Sequence, residues 1–165
     1  MTSRRRAGAA AMSAVLSLPL TLAGGAHAAE ISRTRTPGST VAIASSVTVP
    51  ADYDLVFVSG ALPTVTDAAH AGDTHAQSLA VLEKHRATLQ SLGLTFADVV
   101  EAHVFLVGDP AKAGEIDFQG LNAAWSTAFG TAAQPNTPTR STVKVAGLVL
   151  PGALVEIELV AARRR

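Results

Sequence analysis

The side chains that could carry chemistry in this chain form a restricted set, because its 165 residues include no cysteine. Disulfide scaffolds, thiolate metal sites and cysteine nucleophiles are therefore excluded. The remaining reactive groups are hydroxyl, carboxylate, imidazole, amide and guanidinium groups. Two carboxylates, Glu156 and Glu158, alternate with apolar residues in the last predicted strand, so they project from the same face of it. Arg140 stands near the start of the preceding predicted strand.

Several common kinds of site are absent from the sequence. The five histidines, at positions 27, 70, 75, 85 and 103, lack the paired spacing of a helical zinc motif. Neither a glycine-rich phosphate loop nor a nucleophile elbow is present. The formal net charge is zero and only 4% of residues are aromatic, which gives no footprint for a dedicated nucleic-acid binder. We therefore expect neither a bound metal nor a nucleic-acid partner.

The N-terminus predicts export. Three arginines at positions 4 to 6 precede an apolar stretch, and Ala26-His27-Ala28 fits a small-x-small cleavage site, which together are typical of a secretory signal peptide over residues 1–28. An uncleaved membrane anchor is the alternative. It is disfavoured because the apolar run is shorter than the roughly 20 residues that span a bilayer. We expect a periplasmic or secreted protein without stable membrane anchoring, whose mature chain carries a net charge of −3.

Hydrophobic periodicity predicts one α+β domain over residues 40–165, preceded by a flexible lead-in at 29–39. The helix that starts at Thr74-His75-Ala76-Gln77 has capping-box spacing, and Gly93 is its natural end. The order ββαβαββ predicts a mixed sheet of about five strands with two helices on one face. The predicted strands are 40–49, 54–59, 99–107, 139–149 and 153–162, and the predicted helices are 74–92 and 115–129.

Two features of the predicted sheet bear on its partners. Phe118, Trp125 and Phe129 recur at helical spacing, and such a stripe is typical of a hydrophobic core. The sheet face that carries Glu156 and Glu158 is otherwise apolar. An apolar face of this kind is unusual in contact with water, and one explanation is that it meets another subunit.

Four sequence blocks resemble the RidA family, also known as the YjgF or endoribonuclease L-PSP family. The resemblance covers about residues 41–164, and its blocks occur in the family's order and at closely similar spacing. They are Asp54-Leu55-Val56-Phe57-Val58-Ser59-Gly60, then Asn122, then Pro138-Thr139-Arg140-Ser141-Thr142-Val143, and finally Val155-Glu156-Ile157-Glu158.

The resemblance implies a chorismate-mutase-like fold in a barrel-like homotrimer, with ligand sites in the clefts between subunits. It also implies hydrolysis of reactive 2-imino and 2-enamino acids to 2-keto acids and ammonia, without metal or organic cofactor. By motif position, Arg140 would hold the substrate carboxylate and Glu156 would place or activate water. The substrate-binding positions would be Ser59, Gly60, Asn122 and Thr142.

Elementary chemistry is compatible with these roles. Arginine's planar fork can hold a carboxylate with two parallel hydrogen bonds, and the protonated imine carbon is already electrophilic. A placed water and one carboxylate can then suffice. If residues 139–162 formed a simple hairpin, Arg140 and Glu156 would lie roughly 15 Å apart at ~3.3 Å per residue. A shared site would then have to combine residues of neighbouring chains.

Departures from the family pattern leave a second interpretation open. The pocket tyrosine of active members corresponds to the segment Ala44-Ser45-Ser46, and their cysteine corresponds to Thr142. The chain could therefore be a non-catalytic trimeric binder of small carboxylates or an interaction protein. Ribonuclease activity, which the older family name suggests, is disfavoured by the acidic mature charge.

Overall fold

The computed structural model describes residues 29–165, so the predicted signal peptide lies outside the described residues. The body of the molecule is a four-stranded mixed sheet in the order β3-β6-β4-β5, with two helices on one face and a separate two-stranded sheet, β1-β2, beside it. The elements are β1 Ser32–Thr34, β2 Ser46–Thr48, β3 Tyr53–Ala61, α1 Thr74–Ser91, β4 Val99–Val107, α2 Phe118–Trp125, β5 Thr139–Val145 and β6 Val155–Arg164.

Helix α1 has the predicted length but a different N-cap. Asp73 caps it, with its Oδ1 accepting from the Ala76 backbone N–H at 2.8 Å. Gln77 does not complete a capping box with Thr74, because its amide is only 2% exposed and is used elsewhere. Its Nε2 donates to the Gly152 carbonyl at 2.9 Å and its Oε1 accepts from the Leu154 N–H at 2.8 Å. Gln77 thereby ties the start of α1 to the connection that precedes β6.

Helix α2 is shorter than the predicted span of 115–129. Asp117 caps its start, and turns follow Trp125 up to Phe129, whose N–H still bonds to the Trp125 carbonyl at 3.1 Å. Trp125 and Phe129 are fully buried and stacked, with ring centroids 4.2 Å apart. They form the predicted core together with Leu121, Leu89 and residues of β4 and β6. Phe118 is different, because 43% of it is exposed.

The expected hairpin between the last two strands is wrong. Strand β5 runs parallel to β4 at the sheet edge, whereas β6 lies antiparallel between β3 and β4. The physical reason is burial. Val155, Ile157, Leu159 and Ala161 of β6 are at most 2% exposed, which a central strand satisfies, whereas β5 is half-exposed or exposed throughout and suits an edge. The main sheet consequently has four strands rather than five.

The predicted first strand, 40–49, is also mostly absent. Only Ser46–Thr48 is a strand, and it pairs with Ser32–Thr34 inside the segment predicted as a flexible lead-in. The residues of this segment that precede Ser46 are not a strand, and two of them bond to the body of the molecule. The Ala42 carbonyl accepts from Trp125 Nε1 at 2.8 Å, and the Ala44 N–H donates to the Pro138 carbonyl at 2.8 Å.

The two faces of the sheet have different surroundings. The helix-covered face is core, whereas the other face, which we call the open face, exposes Leu55, Phe57 and Val143 by 51%, 77% and 47%. At the end of β6, Arg164 contacts Tyr53 and Glu30. Across residues 29–165, no helix combines the length and apolarity needed to cross a membrane.

Candidate functional site

Arg140 lies on the helix-covered face, at the point where β5 passes beneath α2. It pairs with the buried Ala102 of β4. Its Nη2 donates to Asn122 Oδ1 at 2.7 Å, and its guanidinium carbon lies 4.8 Å from the Trp125 ring centroid and 5.6 Å from that of Phe118. Positions 118, 122 and 125 share one face of a helix, which explains how a single short helix supplies all three contacts.

The side chain of Arg140 lacks some of its hydrogen-bond partners and has no acidic partner among the described residues. Its Nε and Nη1 are buried without a hydrogen-bond partner, and within residues 29–165 no acidic side chain forms an ion pair with it. Burial lowers the pKa of Arg140 to about 10, so the group remains a cation at neutral pH. A buried cation without a counter-charge is unfavourable. The site is therefore suited to an anion supplied from outside the chain.

Thr142 adds a hydroxyl to the same face, two residues further along β5. Its Oγ1 is buried and has no hydrogen-bond partner. Together with Arg140 Nε and Nη1, it makes three unpartnered polar atoms on one short stretch of strand. A hydroxyl can donate to an anion or accept from a protonated nitrogen, so either end of a small polar ligand suits it.

Glu156 lies on the open face, since its neighbours Val155 and Ile157 point into the core. The strand opposite it is irregular. Ser59 and Gly60 form a bulge in β3, between the pairs Val58–Leu159 and Ala61–Ile157. A Cβ at Gly60 would overlap the Glu156 carboxylate. Only glycine at this position therefore lets the carboxylate keep its observed position. The structure thus places Gly60 against Glu156, with Ser59 beside Gly60 in the bulge.

The six predicted site residues consequently fall into two groups. Arg140, Asn122 and Thr142 share the helix-covered face, whereas the other three share the open face. Arg140 pairs with position 102 of β4 and Glu156 with position 105, on opposite sides of that strand. Three residues along and two strands across correspond to about 14 Å between backbones. Arg140 and Glu156 are therefore about as far apart as expected. The reason is that they lie on opposite faces of the sheet, and not that they lie at opposite ends of a hairpin.

Two features near these groups were not predicted as functional. His103 lies on the open face between two carboxylates, with Nε2 3.2 Å from Glu101 Oε1 and Nδ1 3.6 Å from Glu158 Oε2. The alternation of β4 around position 103 could have placed this imidazole on the same face as Glu158. Phe118 was predicted as core but lies exposed beside Arg140, because it is the first residue of α2 and lies at the rim of the helix-covered face.

The described part of the chain contains further cavities. One of about 700 Å³ is lined by Ala68, His70, Asp73, Asp109 and neighbouring loop residues, and by none of the six predicted positions. A smaller groove of about 310 Å³ lies on the open face between Phe57, Ser59, His103 and Glu158, and it includes one of the six predicted positions, Ser59. No set of three or more histidine and acidic side chains in residues 29–165 is arranged to hold a metal ion.

Comparisons with known proteins connect this geometry to a family. The family model described as endoribonuclease L-PSP matches residues 39–163. A RutC family protein of Haemophilus influenzae is 37% identical over 112 residues, which are 67% of this chain and 81% of that protein.

Solved structures give the same result. A YjgF family member from Neisseria meningitidis has a TM-score of 0.52 at 26% identity, covering 82% of this chain and 97% of that one. A Mycobacterium tuberculosis member of the YjgF/YER057c/UK114 family has a TM-score of 0.50 at 26% identity, covering 80% and 98%. The fold of those structures is the chorismate-mutase-like one that the sequence blocks implied. This chain belongs to the endoribonuclease L-PSP family, the family of RidA and YjgF.

Proposed function

We propose that this protein hydrolyses reactive 2-imino and 2-enamino acids to 2-keto acids and ammonia, without a cofactor, at clefts between the subunits of a homotrimer. The observation that carries the proposal is the buried guanidinium of Arg140, which has two unpartnered nitrogens and no acidic partner among the described residues. A small carboxylate would supply the missing negative charge.

The chemistry follows from the positions of the two groups. With its carboxylate held by Arg140, an imino acid presents its imine carbon to a water molecule placed by Glu156. Glu156 takes a proton from the water as the C–O bond forms, and it passes that proton to the nitrogen. As the C–N bond breaks, Glu156 accepts the hydroxyl proton of the intermediate, so that the carbonyl forms, and this proton leaves with the ammonia. An enamino acid first gains a proton on carbon to become the imine. The net reaction adds one water and releases one keto acid and one ammonia.

The two faces of the sheet are the reason to assign the site to two chains. Arg140 and Glu156 cannot reach one small molecule within a single chain, because the sheet lies between them. The exposed apolar side chains of the open face favour association with further copies. A cleft that joins the open face of one copy to the α2–β5 edge of the next would contain both groups.

Activity is tested with imines generated in place by an amino-acid oxidase, by following ammonia and keto-acid release. We expect the wild-type protein to accelerate hydrolysis and Arg140→Ala to lose at least about a hundredfold in kcat/KM. Arg86→Ala is the matched control, because Arg86 also lies over an aromatic ring, Phe96 at 4.9 Å, but is exposed and paired with Glu83.

Each outcome of this assay has a distinct meaning. Equal rates for the wild type and Arg140→Ala would contradict the deaminase proposal. Binding of pyruvate or 2-oxobutyrate that depends on Arg140, without any acceleration by the wild type, would identify the protein as a carboxylate binder instead.

Mixing of subunits tests the two-chain site. Arg140→Ala and Glu156→Ala proteins are each expected to be inactive. When they are denatured together in equal amounts and refolded, about one quarter of the sites should pair an intact Arg140 with an intact Glu156 from the next chain. About a quarter of wild-type activity should therefore return. A mixture of Arg140→Ala with the double variant is the control and should stay inactive. Absence of recovery in the first mixture would contradict the shared site.

Export remains part of the proposal. The basic start, apolar stretch and Ala26-His27-Ala28 predict cleavage after residue 28. Mass spectrometry of the protein from the cell envelope should give a chain that starts at Ala29. A chain that keeps residues 1–28 would contradict cleavage.

A further inference from the structure

A cavity of about 700 Å³ lies at the end of the sheet where β4 finishes and β6 begins. Three loops form it: residues 68–73 ahead of α1, residues 109–111 after β4, and residues 152–154 ahead of β6. We call it the loop cavity. Its volume falls in the range of about 300 to 1,000 Å³ that is typical of sites for small molecules. Neither Arg140 nor Glu156 belongs to its lining, so it is separate from the proposed active site.

Hydrogen bonds hold the walls of the loop cavity in place. The buried amide of Gln77 donates to the Gly72 carbonyl at 3.2 Å and to the Gly152 carbonyl at 2.9 Å, which joins the first loop to the third. The Val107 N–H donates to the Leu154 carbonyl at 2.9 Å, which joins the end of β4, and with it the second loop, to the same connection. A cavity whose walls are already ordered binds a ligand at a smaller cost in entropy.

Asp109 places a carboxylate in the wall of the loop cavity. Only 4% of this residue is exposed, and its Oδ1 accepts from the Ala111 N–H at 2.8 Å. Its Oδ2 accepts no hydrogen bond from any residue of 29–165, and no basic side chain in that range forms an ion pair with it. A buried charge without a counter-charge is unfavourable. The carboxylate of Asp109 is therefore suited to a cation that enters the cavity.

The charged groups around Asp109 do not supply that cation. Asp73, which also lines the cavity, is a second acid and caps the start of α1. His70 is exposed and contacts Asp67 at 2.7 Å. Lys112 follows the second loop, but its Nζ pairs with Asp117 at 3.5 Å. The loop cavity thus carries negative charge that no basic side chain within residues 29–165 compensates.

We propose that the loop cavity binds a small organic ammonium ion, that is, an amine whose charged nitrogen contacts Asp109 and Asp73 while its hydrocarbon part packs against the rest of the lining. An ammonium group donates up to three hydrogen bonds, and those made to a carboxylate are about twice as strong as neutral ones. The apolar part of the lining comes from all three loops and consists of Ala68, Ala71, Pro110, Ala111 and Leu154. The inference goes beyond the proposed function and is independent of it, because the cavity lies within one chain.

Two other classes of ligand fit the cavity less well. An anion would meet two carboxylates, and the N-terminus of α1, which attracts anions when it is free, is already capped by Asp73. A bare divalent metal ion requires about six oxygen ligands. Within residues 29–165, no three acidic or histidine side chains are grouped to hold one. Only a cation with a hydrocarbon body uses both the charge and the apolar lining.

Binding is tested with 2-phenylethylammonium, by calorimetry and by the shifts of backbone amide signals in NMR spectra of the labelled protein. We expect a dissociation constant below about 1 mM, with the largest shifts in residues 68–73, 109–111 and 152–154. 2-Phenylethanol has nearly the same shape without the charge and should bind at least about tenfold more weakly. Phenylacetate, the matched anion, should shift no signal of these three loops.

Two variants test the charge and the space separately. Asp109→Asn keeps an acceptor for the Ala111 N–H but removes the charge, so the dissociation constant of the amine should rise at least about tenfold. Ala111→Phe leaves the charges in place and fills the cavity from its exposed side, and it should also weaken binding at least about tenfold. Asp98→Asn is the matched control, because Asp98 also accepts from a backbone N–H, that of Thr95 at 2.7 Å, but lies outside the loop cavity. It should bind the amine as the wild type does.

The outcomes are distinguishable from those for the proposed function. Equal affinity for the amine and the alcohol, or wild-type affinity in folded Asp109→Asn and Ala111→Phe proteins, would overturn the ammonium site. Displacement of the amine by an equal concentration of magnesium chloride at constant ionic strength would overturn it too, in favour of an inorganic cation. Arg140→Ala should bind the amine normally, and Asp109→Asn should hydrolyse imines at the wild-type rate. Loss of amine binding in Arg140→Ala would show that the amine occupies a different site.

Discussion

Arg140 has an unusual set of contacts for a residue on an edge strand. Within residues 29–165 its side chain makes one hydrogen bond, from Nη2 to Asn122 Oδ1, and the aromatic rings of Trp125 and Phe118 lie close to the guanidinium. Rings attract a cation but do not neutralise it. The chain thus positions a charge without compensating it, which is favourable for binding an anion and unfavourable for stability alone.

Asn122→Asp tests this interpretation of the residue. The substitution places a carboxylate where the amide oxygen lies 2.7 Å from Arg140, so the chain would compensate its own cation. We expect KM for the imino acid to rise at least about tenfold, with a smaller change in kcat, and the free energy of unfolding to rise by about 1 kcal/mol. Steady-state kinetics and urea unfolding measure these quantities.

The control for that variant is Gln119→Glu, which adds the same charge to an exposed position of α2. An unchanged KM in Asn122→Asp would show that Arg140 does not hold the substrate.

Gly60→Ala tests the contact with Glu156. The added Cβ would overlap the Glu156 carboxylate, and that side chain is flexible and half-exposed, so it should move rather than unfold the sheet. We expect kcat to fall at least about tenfold while the free energy of unfolding falls by less than about 1 kcal/mol. Gly147→Ala is the control, because a Cβ there contacts nothing. Full activity of Gly60→Ala would argue against a role for Glu156 in placing water.

At the scale of elements, α1 is joined to the sheet by a buried histidine. His85 is 1% exposed, and its Nε2 donates to the Ile157 carbonyl at 2.7 Å. Burial lowers the pKa of His85 below the ordinary value of 6.5, and the hydrogen bond to Ile157 opposes this only in part. The folded state therefore holds the neutral imidazole at a pH where the unfolded chain already binds a proton.

The consequence is a loss of stability in acid. Above about pH 6.5 both states are neutral at this position, and stability is unaffected. As the pH falls further, the free energy of unfolding should decrease by up to about 1.4 kcal/mol per pH unit, until the folded protein is protonated as well. His85→Gln keeps a donor for Ile157 and should remove this part of the slope in urea unfolding. His75→Gln, on the same helix, should keep it. The same slope in His85→Gln would contradict the prediction.

The elements also show how far a sequence can predict this fold. Strand β4 and helix α1 were predicted almost to the residue, because long periodic segments depend on local pattern. The order of strands in the sheet was not predicted, because β5 and β6 are neighbours in the chain but not in the sheet. Pairing depends on which strand can be buried on both sides, and that is a property of the whole sheet.

The candidate site could likewise be predicted only in part. The sequence blocks named the residues around Arg140 and Glu156, and their nearest contacts, Asn122 and Gly60, were among the positions named. No local pattern predicted that a sheet would separate the two groups, or that Trp125 would pack against Arg140. Those contacts arise from the register of strands that are far apart in sequence.

For the whole molecule, the open face sets the expected state of assembly. Phe57 of the edge strand β3 is 77% exposed on this face, which would be unfavourable in a monomer. Phe57→Glu should give a folded monomer, with a dissociation constant raised by roughly a hundredfold or more, because a charge would be buried at the interface. Sedimentation and circular dichroism measure both properties. Leu79→Glu is the control, since Leu79 is 38% exposed on α1. A trimeric Phe57→Glu protein would contradict this use of the open face.

The central position of β6 has a consequence for biosynthesis. Strands β3 and β4 have no common neighbour until β6 arrives, and β6 follows every other described element in the chain. A nascent polypeptide on the ribosome therefore holds two unsatisfied strand edges until translation of this segment is complete. The main sheet therefore cannot be completed before β6 has been synthesised.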